Sequence, residues 1–309
     1  MRSPKVYIVI LNYRQWQDTQ ECLQSVLRST YTNFSVFVVD NNSGNDSLAR
    51  LASWLSNEQR EFKTITKKEI QEVDLALLPQ VTLVQNDSNA GFANGNNLML
   101  AILKNENGYV WLLNPDMIIR ENTLNELVRF AGTQSQESII GAVIKNYEGN
   151  HKLLFYGGGK VNFYLATVQT ITKPEDIRRL DYISGGCLFT QAINFKVLGL
   201  LPEEYFLYWE ETDWCYRARQ KGHPLLVCRR AIAYDKISTT IGKGFLANYY
   251  YARNGLLFIS KFRKDNVPLV LFFVIWRWFK RVFTGRWSRA GGIYQGTRDF
   301  LKKKFHEYQ

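Results

Sequence analysis

Short apolar runs alternate with segments of helical periodicity along the first half of the chain. Runs rich in Val, Ile and Leu are typical of buried strands, whereas apolar residues spaced three or four apart indicate a helix. The strand-like runs are Val6–Leu11, Ser35–Val39, Val81–Val84 and Tyr109–Leu113, and the helical segments are Trp16–Ser29, Ser47–Leu55 and about Asn96–Leu103. This alternation predicts βαβ units around a mostly parallel sheet, and so an α/β fold class.

The pattern changes twice farther along the chain. Glu58–Glu72 is charged and poorly periodic, which indicates a surface insertion. From Glu121 onward the alternation loosens, and the helices predicted there are about Glu211–Gln220, with Gly222 as its C-cap, and about Ala247–Phe262. We expect the first half to bind a nucleotide and the second to build the other wall of a cleft.

The net charge of +11 lies almost entirely at the C-terminal end of the chain. From Arg253 onward thirteen Lys and Arg oppose three Asp and Glu, which leaves the preceding part nearly neutral. The most apolar segment, Val267–Trp276, lies in this basic region and is too short to span a bilayer as a helix. Its Trp and Phe beside Lys and Arg suit the interface of an anionic membrane, and the alternative is a buried helix with a solvated basic flank. Nucleic acid is not expected as a partner, because no motif for binding it accompanies the charge.

Composition excludes several other classes of protein. With 46% hydrophobic and 22% charged residues, the 309-residue chain can form a sizeable core, which excludes a disordered or collagen-like protein. The four Cys form no C-x-x-C pair and the three His are scattered, which argues against a disulfide scaffold, a zinc module and a His-rich metal site. A reducing cytosol is the expected compartment, and Val6–Leu11 lacks the features of a signal peptide.

Polar side chains follow three of the predicted strands directly: Asn12, Asp40 and Asn114-Pro115-Asp116. Each of them alone suits an Asx turn or a helix N-cap. Together they favour a single crevice, because ligands of open parallel sheets bind at the carboxyl ends of the strands. In such a crevice Asp40 can accept a hydrogen bond from a nucleobase or a ribose, and Asp116 can bind a hard cation. The absence of a G-x-G-x-x-G or Walker loop disfavours dinucleotide cofactors and P-loop chemistry.

Three carboxylates, Glu210, Glu211 and Asp213, lie at the start of a predicted helix between Trp209 and Trp214. Acids at a helix N-terminus are favourable in themselves, and a pair between Asp213 and the arginine one turn later would be an ordinary surface feature. The flanking Trp residues instead favour the wall of a cleft. A partly desolvated carboxylate in that position can act as a general base.

Seven motifs, in order across roughly residues 4–260, resemble those of the family 2 inverting glycosyltransferases, in the branch of rhamnosyltransferases of cell-surface polysaccharides. They are Val9-Ile-Leu-Asn-Tyr13, Val38-Val-Asp-Asn-Asn-Ser43, Asn89-Ala-Gly-Phe-Ala-Asn-Gly-Asn-Asn97, Leu112-Leu-Asn-Pro-Asp116, Ile183-Ser-Gly-Gly-Cys187, Phe206-Leu-Tyr-Trp-Glu-Glu-Thr-Asp213 and Tyr249-Tyr-Tyr-Ala-Arg-Asn254. The resemblance implies a single glycosyltransferase A-type domain with a Rossmann-like half. We expect it over residues 1–255, divided into a nucleotide-sugar half (1–117) and an acceptor half (118–255). A basic, amphipathic helical extension (256–309) would follow.

The resemblance also assigns roles on the donor side. Asp40 corresponds to the acid that reads the uracil or thymine ring, and Asn12, Asn89 and Asn114 correspond to residues of the donor pocket. Arg253 is expected to approach the diphosphate. Asp116 corresponds to the last position of the D-x-D motif that holds Mg²⁺ or Mn²⁺. Asn114 replaces the first acid of that motif.

Asp235 stands where the family usually has a metal-contacting His, and as an oxygen ligand it can substitute for it. On the acceptor side, Glu211 corresponds to the catalytic base, and Gly185, Gly186, Trp209 and Glu210 are expected to line the acceptor site.

These assignments predict a metal-dependent, inverting hexosyltransferase that uses a dTDP- or UDP-sugar. Its acceptor would be a hydroxyl of a glycan or of a lipid-linked glycan, and rhamnose is a candidate sugar. The basic aromatic tail would place the protein on the inner face of the plasma membrane as a peripheral protein. Because of Asn114 and Asp235, a catalytically weak nucleotide-sugar-binding or membrane-scaffold protein is the alternative.

Overall fold

The apolar runs of the first half form a parallel block inside a ten-stranded sheet in the computed structural model, which describes residues 3–236 and 244–302. The strands of this sheet are β1 (Val6–Asn12), β2 (Phe34–Asp40), β3 (Phe62–Thr66), β4 (Val81–Gln85), β5 (Tyr109–Leu113), β6 (Met117–Ile119), β7 (Ile139–Asn146), β8 (Leu153–Tyr156), β12 (Cys187–Gln191) and β13 (Leu225–Asp235). Their spatial order is β3-β4-β2-β1-β5-β12-β7-β13-β6, with β8 paired to β7. A small antiparallel sheet contains β9 (Gly158–Asn162), β10 (Thr167–Thr170) and β11 (Tyr182–Ile183).

Helices cover both faces of the large sheet, which explains why its central strands are apolar at nearly every position. They are α1 (Trp16–Leu27), α2 (Ser47–Asn57), α3 (Lys67–Glu72), α4 (Gly91–Leu103), α5 (Thr123–Ala131), α6 (Ile193–Val197), α7 (Glu210–Gln220), α8 (Phe245–Phe262), α9 (Val267–Phe283) and α10 (Trp287–Leu301). Side chains of α1, α2 and α5 pack with Ile8 and Ile10 on one face, and those of α4, α6 and α7 pack with Val9 and Leu112 on the other.

The strand register places the predicted polar residues of β1, β2, β5 and β13 at the same end of the sheet. The parallel pairing of β1 with β2 places Asn12 opposite Asp40. The antiparallel strand β12 pairs with β5 so that Cys187 faces Leu113, which sets the preceding glycines beside the Asn-Pro-Asp turn. At the end of β13, Asp235 pairs with Met117 of β6.

The predicted strands and helices of the first half are confirmed within a few residues, with two exceptions. One is the type of structure formed by residues 58–72, and the other is the length of α4. Residues 58–72 do not form an insertion. They contain β3 and α3, and β3 was missed because it pairs only with β4 and buries only Ile65. Helix α4 starts at Gly91, before the predicted Asn96. Its first five residues, Gly91–Gly95, include two glycines, which are poor helix formers, so this turn gave no helical signal. Gly222 follows α7 with a left-handed φ of 88°, as a C-terminal glycine should.

The C-terminal region consists of α8, α9 and α10. Helix α8 continues through residue 255 without a break, so the proposed boundary between catalytic domain and extension falls inside a helix. It packs with α9 around Trp209, Leu256, Val270 and Val274. Within residues 3–236 and 244–302, no helix combines the length and apolar character needed to cross a bilayer.

Helix α10 lies close against α8 because two of its glycines face that helix. A Cβ atom on Gly292 would lie 2.3 Å from the Phe245 carbonyl oxygen, and one on Gly296 would lie 2.4 Å from that of Tyr249. The Tyr249 hydroxyl also donates to Asp299 Oδ2 over 3.0 Å. These glycines therefore set the distance between the two helices.

We expect Gly296→Ala to lower the free energy of unfolding by about 1–3 kcal/mol, as overpacking does, although alanine is the better helix former. Gly291→Ala is the matched control, because a Cβ there would meet the Phe245 ring at an ordinary 3.5 Å. The control should gain up to about 1 kcal/mol. Urea unfolding measures both, and equal stability of the two variants would contradict the close approach of α10 to α8.

Candidate active site

At the carboxyl ends of β1 and β2, Asp40 is the centre of a buried hydrogen-bond network. Its Oδ1 accepts from Asn12 Nδ2 (2.6 Å) and Ser43 Oγ (2.5 Å), and its Oδ2 accepts from the Ser43 amide (3.0 Å) and Gln85 Nε2 (3.3 Å). The Asn12 Oδ1 accepts from the Thr19 hydroxyl over 2.8 Å. Each carboxyl oxygen of Asp40 is thus engaged twice, so a nucleobase N–H would have to share them. Ser43 lies in the polar group and motif that contain Asp40 but was given no role of its own, and Gln85 was not singled out by sequence reasoning.

Asn89 joins this region through a second asparagine network. Its Oδ1 accepts from Asn41 Nδ2 (2.8 Å), and the Asn41 Oδ1 accepts from Asn86 Nδ2 (3.0 Å). A Cβ on Gly95 of α4 would lie 3.1 Å from Asn41 Cγ, so this glycine allows the helix to approach the network. Asn41 lies within the Val38–Ser43 motif, and its neighbour Asp40 was taken for the functional residue of that motif. The pairing of Asn41 with Asn86 could not be read from sequence spacing.

Gly185 and Gly186 connect the strand-end residues to the acidic helix. The Asn114 amide donates to the Gly186 carbonyl over 3.0 Å, and a Cβ on Gly186 would lie 3.0 Å from Asn114 Nδ2. A Cβ on Gly185 would lie 3.3 Å from Glu211 Cβ. Because neither glycine carries a side chain, Asn114 and Glu211 lie on either side of a two-residue segment of backbone. The structure therefore brings these two predicted site residues together.

Asp116 and Asp235 also lie near each other. Asp235 is opposite Met117 in the strand pairing, and the amide of the next residue, Lys236, donates to the Asp116 carbonyl over 3.1 Å. The Lys236 ammonium is bonded to Asp18 and Glu21 of α1. Two hard oxygen donors fit Mg²⁺ or Mn²⁺, which proteins often bind through one or two carboxylates together with substrate phosphates. Within the described ranges no group of three or more His, Cys, Asp and Glu side chains could hold a metal ion.

Glu210 and Glu211 begin α7 in an unusually dry environment. Glu210 is 3% exposed, and the Oε2 atoms of both residues are buried without a hydrogen-bond partner in the described part of the chain. Burial raises the pKa of Glu210 well above its ordinary value, and the charge of Glu211 raises it further. Burial also raises the pKa of Glu211, although backbone N–H groups, including that of Gly185, act in the opposite direction. Backbone donors act on both carboxyls, but the upward shift of the pKa is larger for Glu210, and Glu211 is the one that lines a cavity.

That cavity has a volume of about 130 Å³, and five of its ten lining residues are aromatic. Its lining residues are Phe155, Val168, Thr170, Tyr182, Ser184, Tyr208, Trp209, Glu211, Thr212 and Tyr251. Burial, followed by the charge of Glu211, raises the pKa of Tyr182, so its hydroxyl stays protonated beside the carboxylate. Trp209 is 2% exposed and packs on Tyr251 and Phe258, which makes it a wall of the cavity. Of the other lining residues, Ser184, Tyr208, Thr212 and Tyr251 lie within the sequence motifs but were given no role. Phe155, Val168, Thr170 and Tyr182 were not named, because they lie on strands outside those motifs.

Arg253 lies inside the protein, behind the segment that precedes α7. It is 1% exposed, and its Nη2 donates to the carbonyls of Glu204 (2.9 Å) and Tyr205 (2.8 Å). Its Nε donates to Asn254 Oδ1 over 2.7 Å. Its guanidinium therefore binds backbone carbonyls, and the predicted approach to a diphosphate remains a prediction.

Comparison with known families agrees with this arrangement. The sequence model of the family described as Glycosyl transferase family 2 matches residues 7–196, which hold the Asp40 network, the Asn-Pro-Asp turn and the glycine pair. The chain belongs to glycosyltransferase family 2. Glu211 and the rest of α7 lie beyond the matched residues.

One curated relative is the low-salt glycan biosynthesis hexosyltransferase Agl10 of Haloferax volcanii, which is 25% identical over 232 residues. The match covers 72% of this chain and 64% of the relative, so the chain spans somewhat less than two thirds of that protein. Another is the glycosyltransferase GlyG of Streptococcus pneumoniae, 20% identical over 158 residues, with 51% of this chain and 45% of the relative covered.

Among solved structures, the mannosyltransferase PcManGT of Pyrobaculum calidifontis, in complex with GDP-Man and Mn²⁺, superposes with a TM-score of 0.59. It is 11% identical, with 98% of this chain and 89% of that chain covered. GalNAc-T7 with UDP, GalNAc and Mn²⁺ gives a TM-score of 0.60 at 15% identity, with 86% of this chain and 55% of that chain covered. The predicted glycosyltransferase A-type fold, with its mostly parallel central sheet, is confirmed. Membership of a rhamnosyltransferase branch remains a prediction.

Glu210→Gln is expected to stabilise the protein at neutral pH. A carboxyl whose pKa is raised by folding contributes fully to stability below its ordinary value of 4.5, and this contribution is lost as the pH rises toward the folded-state value. Relative to the variant, wild type should therefore lose about 1.4 kcal/mol of unfolding free energy per pH unit above that point. Urea unfolding between pH 4.5 and 8 measures the difference. Glu58→Gln, on an exposed carboxylate after α2, controls for the lost charge, and a pH-independent difference for Glu210→Gln would contradict the dry environment.

Proposed function

We propose that this protein transfers a hexose from a nucleotide-diphospho-sugar to a hydroxyl of a glycan or lipid-linked acceptor, with inversion of the anomeric centre. The observation that carries the proposal is the position of Glu211. This carboxylate faces an aromatic-lined cavity and is separated from Asn114, at the strand ends, only by the backbone of Gly185 and Gly186. A base is thereby next to the place where an acceptor can meet a donor.

The donor is assigned to the strand-end networks of Asn12, Asp40 and Asn89, where parallel α/β sheets bind ligands. A dTDP- or UDP-sugar is the proposed donor, and rhamnose is a candidate sugar. Relatives support a nucleotide sugar in general, since GalNAc-T7 is named with UDP and PcManGT with GDP-Man. Because one neighbour has UDP and the other GDP-Man, the nucleobase of the donor has to be determined by measurement.

Asp116 and Asp235 would hold a divalent cation, Mg²⁺ or Mn²⁺. When bound, such a cation stabilises the negative charge that collects on the leaving diphosphate. The chemistry of the two carboxylates and their proximity at the ends of β5 and β13 support this role. Mn²⁺ also occurs with the two structural neighbours.

Glu211 would act as the general base that takes the proton of the acceptor hydroxyl as its oxygen attacks the anomeric carbon. Attack on the face opposite the leaving diphosphate inverts the centre without a covalent intermediate. Burial raises the pKa of Glu210 and so favours its neutral form, which lowers the negative charge beside the acceptor. Because the pKa of Glu211 is raised by burial, transfer should increase as the pH rises through that value. Trp209, Tyr182 and Tyr208 would enclose the acceptor sugar.

Helix α9 would hold the protein on the inner face of the plasma membrane. Its buried side, Val270 and Val274, packs on the core, while its other side presents large apolar residues to solvent. Those exposed residues are Leu269, Phe272, Ile275, Trp276, Phe279 and Phe283. Cationic Lys280 and Arg286 are exposed beside them. An apolar stripe rimmed by cations suits an anionic membrane surface, which is where a lipid-linked acceptor would be found.

Glu211→Gln should reduce transfer by about 10²–10⁴-fold, the usual contribution of a general base, while nucleotide binding is retained. The assay follows transfer and hydrolysis of dTDP-, UDP- and GDP-sugars over an acceptor panel with Mn²⁺, and calorimetry follows binding of the free nucleotides. Glu58→Gln is the control. Unchanged turnover in Glu211→Gln would exclude this base. Nucleotide binding by wild type without any turnover would favour the alternative, a nucleotide-sugar-binding protein.

The double variant Phe272→Ser/Trp276→Ser should no longer sediment with vesicles that contain phosphatidylglycerol. Phe272 is 61% exposed and Trp276 is 63% exposed, so the variant removes two large apolar side chains of the stripe without changing the core. Leu77→Ser, at a 78% exposed leucine before β4, is the control and should sediment like wild type. Vesicles of phosphatidylcholine alone test the part played by charge. Undiminished sedimentation of the double variant would show that α9 is not the membrane-binding face.

A further inference from the structure

The segment that leads into α7 has an unfavourable backbone conformation. Phe206, Tyr208 and Trp209 have φ values of 62°, 65° and 79°, and none of them is glycine. Side chains rarely adopt this left-handed region, and residues held there persist only where the surrounding structure fixes them. Glu210 and Glu211 follow immediately, so the contacts that fix this segment also determine where the two carboxyls lie.

Two consecutive side chains of α8 supply those contacts, and we call Arg253 and Asn254 the carbonyl clamp. Asn254 Nδ2 lies 2.7, 2.6 and 3.1 Å from the carbonyl oxygens of Tyr205, Leu207 and Tyr208. Arg253 Nη2 donates to the carbonyls of Glu204 and Tyr205, and its Nε donates to Asn254 Oδ1 and so orients that amide. Asn254 is fully buried. The clamp thus binds four backbone carbonyls in and just before the left-handed segment, those of Glu204, Tyr205, Leu207 and Tyr208.

The clamped segment also contacts the donor half of the protein. The Phe92 amide at the start of α4 donates to the Phe206 carbonyl over 2.7 Å. A Cβ on Gly91 would lie 2.1 Å from that same oxygen, so only glycine permits this approach. The carbonyl of Phe206, which the clamp does not bind, therefore attaches the segment to the helix that follows Asn89.

We propose that Asn254, oriented by Arg253, is a positioning residue that fixes Glu211 in its cavity by holding the left-handed segment before α7. This proposal rests on the proposed function for the role of Glu211. Asn254 is absent from the lining of the cavity, and its amide acts on backbone carbonyls, so it reaches the reaction only through the segment that it holds. A displacement of about 1 Å in a reacting group can cost 10²-fold in rate, which is the scale on which such a residue matters.

The test compares Asn254→Ala and Asn254→Asp with Asn248→Ala. The alanine variant removes the amide donor, and the aspartate variant keeps the size but turns carboxylate oxygens toward three carbonyls. Asn248 lies on the same helix and donates to the Gly244 carbonyl, so its replacement controls for the loss of an asparagine from α8. Hydrogen–deuterium exchange of peptides covering residues 204–212 reports the segment directly, in the absence of substrate.

Both Asn254 variants should exchange amides 204–212 at least about tenfold faster than wild type, with the peptides of β1 and β2 unchanged. In transfer assays kcat should fall by about 10–100-fold with little change in the donor KM. The low-pH limb of kcat should move to lower pH in Asn254→Ala, because hydration lowers the pKa of a carboxyl that burial had raised. Asn248→Ala should match wild type in all three measurements.

Unchanged exchange over residues 204–212 would overturn the clamp. A second outcome would overturn the positioning role: exchange becomes faster, the pH profile of kcat does not change, and activity falls only in proportion to the fraction of unfolded protein. Asn254 would then be a residue that only stabilises the fold. Exchange needs no substrate, so an absence of transfer by wild type would contradict the proposed function while the exchange result still decided whether the clamp exists.

Discussion

The close approach of backbone to side chains at Gly185 and Gly186 is the constraint on which the site depends. Strand β12 runs antiparallel to β5 and carries the two glycines to the Asn-Pro-Asp turn, where Gly186 meets Asn114 and Gly185 meets Glu211. A Cβ atom would lie 3.0 Å from Asn114 Nδ2 at Gly186 and 3.3 Å from Glu211 Cβ at Gly185, so a side chain at either position would press on its neighbour. Asn114 and Glu211 can therefore approach the same stretch of backbone because these two residues have no side chain.

Placing two adjacent carboxyls at the dry start of α7 carries a cost in stability that the rest of the fold has to offset. The left-handed residues before Glu210 add to that cost. The surrounding packing of Trp209, Tyr251 and Phe258, together with the carbonyl clamp, provides rigid support in the same place. Strain and desolvation concentrated beside one cavity are typical of catalytic sites, where both serve to fix a reactive group.

The sequence was sufficient to predict the elements whose signal is local. The strands β1, β2, β4 and β5 are continuous apolar runs, and the order of the motifs indicated the family. Asp40, Asn114 and Glu211 could be named because each lies in such a motif. The partners of these residues could not, since Tyr182 and Gln85 come from distant elements and have no periodic signature, and the motif that contains Tyr251 does not indicate which cavity this side chain lines. The position of Arg253 shows the same limit, because a motif identifies a residue but not the direction in which its side chain points.

The two ends of the large sheet have a consequence for how the protein behaves at high concentration. One end is β3, whose outward positions include Lys63 and two threonines, and the other is β6, which is only three residues long. A charged edge strand on one side and a very short edge strand on the other are poor partners for backbone pairing with a strand of a second molecule. Copies of the protein that crowd together are in this way protected against intermolecular β-pairing and the fibrous aggregates that such pairing would start.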